Sequence, residues 1–399
     1  MGALRIAGMA ASPIYPTREF DFARAWLDVD LAAVRHNAAV LRQRAGVPLL
    51  AMVKANSYGV GAVAVTRALG VAFDDQRATP DAPWGVGIAS LDEAEALRES
   101  GCRGRIVCLQ PLLREELPRA HALEVRPSLH RTQDIETWRG LGDGTAVAPY
   151  HLSIDTGMAR AGIRWDHVDT LAAAVAAVPP EGVFTHFHSA DESDASRELQ
   201  DARFAEALAT LASVLPRGVL LHSDNSGGIA TRSHGSPGQL ARPGIALYAG
   251  LFAEALGLRQ VAHLRARVID IREVYEGETV SYGATWCAPE ARRIATLACG
   301  YADGYRRHLS NAGVVLMHGV RCPVVGRVTM DMIMVDASAA PCVVGDVATL
   351  IGREGEDELS IEMVAGLAGV SPYELLTGLT QRVPAVYHDS LPSSFPPPV

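Results

Sequence analysis

From about residue 26 to 250, short runs rich in apolar and β-branched residues alternate with longer Ala- and Leu-rich stretches whose apolar positions are spaced as in helices. The strand candidates are WLDVD (26–30), LLAMVK (49–54), WGVGIA (84–89), RIVCLQ (105–110), EVRPSL (124–129), YHLSID (150–155), GVFTHFH (182–188), VLLHSDN (219–225) and GIALYAG (244–250). Between them, DEAEALRES follows the third candidate and FAEALATLASVL precedes the eighth. Regular β-then-α alternation of this length predicts a (β/α)8 TIM barrel of the α/β class. Chemistry in that fold sits at the carboxyl ends of the strands. Lys54, Asp155, His186 and Asn225 all fall at such ends, which core packing alone does not require.

Past about residue 260 the texture changes to alternating apolar and polar residues, as in RARVIDIREVYEGETVSYG, with a turn at Glu276–Gly277 and no long helical pattern until 360–378. This predicts a second, mainly β domain. The expected division is a barrel over 26–260, a β domain over 261–388 on which residues 1–25 could pack, and a Pro-rich disordered tail over 389–399.

A chain of 399 residues suits a large domain plus a smaller one, and no apolar run approaches the ~20 residues of a membrane helix. Near the start, Pro13 and Pro16 break the only short apolar stretch before it makes a signal-peptide core, so the protein reads as cytoplasmic and not membrane-bound. Six cysteines are scattered without a C-x-x-C pair, which fits buried free thiols rather than a metal or redox site. A net charge of −9 with no concentrated basic surface argues against nucleic acid and for a small ligand.

Among 36 basic Lys and Arg residues, a single lysine, Lys54, survives. Chance is the bland explanation. The chemical one is that an amine can lose its proton and attack a carbonyl to form a Schiff base, whereas a guanidinium cannot. Lys54 lies in AMVKANSYGVG (51–61), with Tyr58 four residues on and Gly59 and Gly61 allowing close backbone approach. This segment resembles the pyridoxal-phosphate lysine motif of alanine racemases, although other barrel-type pyridoxal-phosphate enzymes share its first half. DTGMARAGI (155–163), THFHSADE (185–192), DNSGG (224–228), RPGIALYAG (242–250), VSYGATW (280–286), GYADGYRR (300–307), GRVTMDMIMVD (326–336) and RVPAVY (382–387) are similar to that family in the same order, from about residue 26 to 387.

The resemblance implies racemisation of alanine on pyridoxal 5′-phosphate, supplying D-alanine for cell-wall peptidoglycan, in a homodimer with shared active sites and no metal. Lys54 would carry the cofactor; Ser226, Gly244, Ile245, Tyr58 and Tyr387 would hold its phosphate; Arg242 would face the pyridine nitrogen; and His186 would pack along the ring and bond Arg242. Read alone, Tyr58 fits a buried structural tyrosine and His186 a satisfied core histidine. Racemisation needs two bases on opposite faces of a planar carbanion, and the resemblance names Lys54 and Tyr301, with Tyr305 a competitor in the same motif. It assigns the substrate carboxylate to Arg160 and the backbone N–H of Met330, and it puts Tyr301 and Met330 at the mouth of the partner's barrel.

Two positions depart from the family. Ser153 stands where many members carry a carbamylated lysine that orients the arginine, leaving a chloride or a water as the substitute, and Val60 stands where histidine is frequent. The alternatives are a racemase acting on serine or other small amino acids, a non-catalytic cofactor carrier, which would lack the β domain, and a barrel-type decarboxylase, which would pair the pyridine nitrogen with a carboxylate rather than Arg242.

Overall fold

In the computed structural model, residues 23–391 are described, apart from 143–147, 193–194 and 234. The first strand, β1 (Ala25–Asp30), departs from the barrel expected of WLDVD: it joins the second sheet. The reason lies in Asp28, a fully buried carboxylate that needs partners. Arg265 Nε and Asp28 Oδ2 lie 3.3 Å apart, while Trp26 Nε1 and His388 Nε2 bond its other oxygen at 3.1 and 2.8 Å. Arg265 and His388 sit on the two strands flanking β1, and a barrel stave would leave the charge without them.

The chain then crosses through a helix, Leu31–Ala45, capped by Asp30 and ended by Gly46 in the left-handed conformation, into the barrel. Parallel strands follow as β2 (Leu50–Met52), β3 (Gly85–Ile88), β4 (Ile106–Pro111), β5 (Val125–Leu129) and β6 (His151–Asp155), with the two-residue β7 (Ile163–Arg164) beside β6 and then β8 (Gly182–Phe184) and β9 (Leu220–His222). The residues of β2, β3 and β8 are buried throughout, as parallel staves covered by helices require, and Leu50, Val86, Ile106, Leu152 and Val183 are wholly enclosed. Each such side chain contributes about 1.5–3 kcal/mol.

GIALYAG does not make the eighth strand. The closing stave lies just before it. Ala241 bridges Leu49 in parallel, Leu50 N donates to Ala241 O at 2.8 Å, Met52 N donates to Pro243 O at 3.0 Å, and Arg242 N donates to Asp224 O at 2.8 Å. Ile245–Tyr248 instead coil into a buried 3-10 turn, because the Ser226 hydroxyl accepts from the Gly244 and Ala246 amides at 2.9 and 3.3 Å. The barrel thus consists of seven strands and a short closing segment.

The second unit is the mainly β one that the alternation predicts. The long β10 (Ala262–Val274) pairs with β1 and is followed by a two-stranded ribbon, β11 (Thr279–Val280) and β12 (Trp286–Cys287). The rest of the nine-stranded sheet comprises β13 (Arg292–Leu297), β14 (Val314–Met317), β15 (Val320–Pro323), β16 (Ile333–Asp336), β17 (Val347–Glu354), β18 (Asp357–Leu359) and β19 (Ala385–His388). Helices Ile361–Ala368 and Pro372–Thr377 complete it. The expected disordered tail, for residues 392–399, and the packing of residues 1–22 lie outside the described residues.

Candidate active site

Lys54 follows β2 by two residues, at the carboxyl mouth of the barrel. The four residues after it, Ala55, Asn56, Ser57 and Tyr58, have φ of 50°, 53°, 55° and 55°. This is one turn of left-handed helix, which for L-residues costs roughly 1–2 kcal/mol per residue and must be held by its surroundings. The glycines give it room. A Cβ on Gly59 would lie 2.6 Å from Leu376 O, one on Gly61 would lie 1.9 Å from the Tyr387 hydroxyl, and one on Gly244 would lie 2.3 Å from the Tyr58 hydroxyl. The Tyr58 hydroxyl thus lies against Gly244 beside Ser226, whereas the Tyr387 hydroxyl lies against Gly61 and is not part of the lining of the cavity at the barrel mouth.

A cavity of ≈ 610 Å³ opens here, lined by Lys54, Tyr58, Arg160, His186, Ser226, Arg242, Gly244 and Ile245 among others. Eight of the residues singled out from sequence thus share one wall-to-wall space, and Ser153, at the departure from the family pattern, lines it too. Burial and then the Arg160 guanidinium hold the Lys54 amine below its usual value, partly offset by Glu93. Arg160 is exposed, and among the described residues no carboxylate pairs with it. The loop that presents it is fixed by Asp155, whose carboxylate accepts from the Gly157 and Ala159 amides at 2.9 and 3.1 Å.

Arg242 is the electrostatic centre. Its side chain is buried, with Nη1 donating to His222 O at 2.7 Å and His222 Nδ1 at 3.0 Å, and Nη2 to Thr185 O at 2.6 Å, Ser223 O at 2.9 Å and, longer, His186 Nδ1 at 3.4 Å. Burial lowers its pKa to about 10, with Asp224 opposing, so it stays a cation at neutral pH. Nε is the exception to this saturation: buried, with no hydrogen-bond partner. His186, pushed down to about 3 by burial and then by Arg242, Arg160 and Lys54, is neutral and accepts through Nδ1.

Behind Arg242 runs a chain that the motifs did not single out. A guanidinium can only donate, so His222 Nδ1 must accept and its proton sits on Nε2, which meets His151 Nδ1 at 2.7 Å. His151 Nε2 then faces Glu181 Oε2 at 3.4 Å, an electrostatic contact too poorly aligned for a hydrogen bond. Burial pushes the Glu181 carboxyl up, but His151 and the Arg126 guanidinium outweigh it and hold the group at about 2. The available signal was a histidine amid apolar residues in each of YHLSID and VLLHSDN.

Tyr301 and Met330 lie elsewhere. They sit side by side in the β unit, where Tyr301 N donates to Thr329 O and Ala302 N to Met330 O, both at 3.0 Å. Their exposures of 42% and 52% set them apart from the cavity of their own chain. Tyr305, the competitor in the same motif, is buried at 1% exposure and its hydroxyl has no partner, which removes it from contact with any substrate.

Residues 29–251 match the family model for the N-terminal domain of alanine racemase, and residues 261–387 match the model for its C-terminal domain. The chain is 39% identical to an alanine racemase of Deinococcus radiodurans, over 90% of this chain and 98% of that one. Its structure is similar to the crystal structure of alanine racemase from E. faecalis, with a TM-score of 0.82 and 32% identity over 92% of this chain and 98% of that one. A Bartonella henselae alanine racemase with covalently bound pyridoxal phosphate matches with a TM-score of 0.80 and 28% identity, covering 92% of this chain and 100% of that one.

Proposed function

We propose, from the premise that the chain belongs to the alanine racemase family and interconverts L-alanine and D-alanine, that it does so on pyridoxal 5′-phosphate carried by Lys54, with Lys54 and Tyr301 of the partner subunit as the two bases. The observation that carries this reading is the buried, unpartnered Arg242 Nε in the same cavity as the one lysine of the chain. A buried donor without an acceptor is costly, and a pyridine nitrogen is an acceptor of the right kind. Gly244, Ile245, Ser226 and Tyr58, which line the same cavity, support a phosphate site, with the Tyr387 hydroxyl against Gly61.

When bound, the cofactor supplies the electron withdrawal that acidifies the Cα–H of an amino acid. The chain's own residues do the rest. Lys54 Nζ, with its basicity lowered by burial and Arg160, takes or returns the proton on one face, and the hydroxyl of Tyr301 of the partner subunit serves the other. Arg160, with no carboxylate of its own, holds the substrate carboxylate together with the backbone N–H of Met330 of the partner subunit. Arg242 keeps its proton, so it would offer the ring nitrogen a hydrogen bond without transferring the proton to it. That favours return of the proton to Cα over transamination or decarboxylation.

The exposure of Tyr301 and Met330 supports the two-fold dimer, since one self-complementary interface would complete both sites. In this reading residues 31–260 carry the cofactor and 261–388, with β1, complete the neighbour's site. The six cysteines are free and five are buried, which supports a reducing, cytoplasmic setting where the D-alanine feeds cell-wall peptidoglycan. No helix among the described residues is long and apolar enough to cross a membrane. Incubation with L-alanine in deuterated water tests the two-base scheme: optical rotation should decay while Cα deuterium appears in both enantiomers. Retention of all Cα protium through complete racemisation would count against exchange at two separate bases.

A further inference from the structure

We propose that Glu93 is a positioning residue for Lys54, its carboxylate clamping the left-handed turn that follows the lysine and so placing a negative charge beside the residue next to it. Glu93 belongs to the helix Leu91–Glu99, where with Ser90 it forms a capping box. An ordinary capping-box glutamate spends its carboxylate on the N-cap amide. Here that bond is the long one, Ser90 N to Oε2 at 3.3 Å. The short bonds go elsewhere: Oε2 accepts from Ala89 N at 2.7 Å, and Oε1 accepts from Ala55 N at 2.5 Å. Ala89 follows β3 and Ala55 follows Lys54 beyond β2, so one carboxylate ties together the ends of two neighbouring staves.

Ala55 is the first residue of the left-handed turn, and its amide finds its partner in this side chain. The remainder of the turn closes on itself, Ser57 N donating to Val53 O, Gly59 N to Ala55 O and Gly61 N to Asn56 O, each at 2.8 Å. Glu93 is therefore the tether between a strained turn and the rigid barrel. The charges that act most on Lys54 are the Arg160 cation and the Glu93 anion; neutral His186, the Arg242 cation and Asp155, whose carboxylate accepts from the Gly157 and Ala159 amides, line the same cavity. Burial and Arg160 both drive the amine toward its neutral form, and Glu93 alone among these opposes them. The inference rests on Lys54 being the working amine, but the amine can be read without any turnover.

The chain has one lysine, so protein labelled with [13C,15N]lysine gives one side-chain spin system whose titration reports Lys54. In the full chain freed of cofactor, Glu93→Gln should move the midpoint to lower pH, whereas Ser90→Ala, which breaks the cap on the far side of Glu93, should leave it in place. With cofactor restored, Glu93→Gln should lose about tenfold in kcat/KM at neutral pH, and the loss should shrink as the pH is lowered, because the variant's amine stays neutral to lower pH than the parent's. An unmoved midpoint in a folded Glu93→Gln protein overturns the proposal, even if racemase activity on Lys54 is intact. Should that variant not fold, Glu93→Asp keeps the charge but shortens the tether: the Ala55 amide should then lose hydrogen-exchange protection, and undiminished protection overturns the clamp.

Discussion

The barrel mouth and the 300–332 surface of the β unit carry functional side chains in opposite states. In the barrel, Arg242 is buried and saturated but for Nε, His186 and His222 are held neutral by burial, and Lys54 is flanked by opposite charges. On the β unit, Tyr301 and Met330 are exposed, and backbone hydrogen bonds tie the two segments that carry them together. Groups that must meet a permanently held ligand are built into the core, where a low dielectric strengthens each contact. Groups that serve another chain have to be presented on a surface, and under the dimer proposed above the environment of Tyr301 and Met330 would be finished only when that chain docks.

The sharpest way to break this comparison is to separate the halves. Lys54→Ala and Tyr301→Phe should each lower kcat by about 10³-fold or more, since in the proposed scheme each removes one of two bases. Mixing the two and exchanging subunits should restore about a quarter of parental activity, because half the dimers are mixed and each holds one intact site. Tyr305→Phe, a change in the core, should leave kcat unaltered. No recovery on mixing would mean that Tyr301 serves its own barrel.

A smaller effect tests the buried half. Arg242→Glu should lower racemisation by about 10²-fold while the fraction of transamination product rises, because the partner of the ring nitrogen becomes one that can yield a proton. An unchanged product ratio, measured as pyruvate per turnover, would refute the electronic role of Arg242.

The smallest expected effect concerns stability alone. Glu181 is held at about 2 in the fold against the usual carboxylate range of about 4.3 unfolded, so it contributes stability present above the unfolded value and lost as pH falls from there toward 2. Glu181→Gln should therefore cost about 2 kcal/mol at pH 7, screened in part because the side chain is 27% exposed, and almost nothing near pH 2. Denaturant titrations at the two pH values check it. Equal losses at both would show that the contact with His151 and Arg126 is not electrostatic.

Much of the site was legible because its chemistry is tied to residue type. Only an amine forms a Schiff base, and Lys54 is the one lysine; the glycines at 59, 61 and 244 stand where no Cβ would fit. Two strand expectations failed for tertiary reasons: WLDVD has strand periodicity in either sheet, and the partners of Asp28 lie far away in sequence on Arg265 and His388. GIALYAG is apolar enough for a stave, but Ser226, eighteen residues earlier, bonds the Gly244 amide and coils it.

The sequence by itself determined the alternation that makes a barrel, the change of texture near residue 260, and that Lys54 is the one lysine available, since hydrophobic period and residue chemistry are local properties. The tertiary structure decided which sheet β1 joins, that Tyr305 is core and Tyr301 surface, and that Arg242 leans on His222, His151 and Glu181. These depend on burial and on pairing between residues distant in the chain, and neither burial nor a charge's partner exists until the chain has closed on itself.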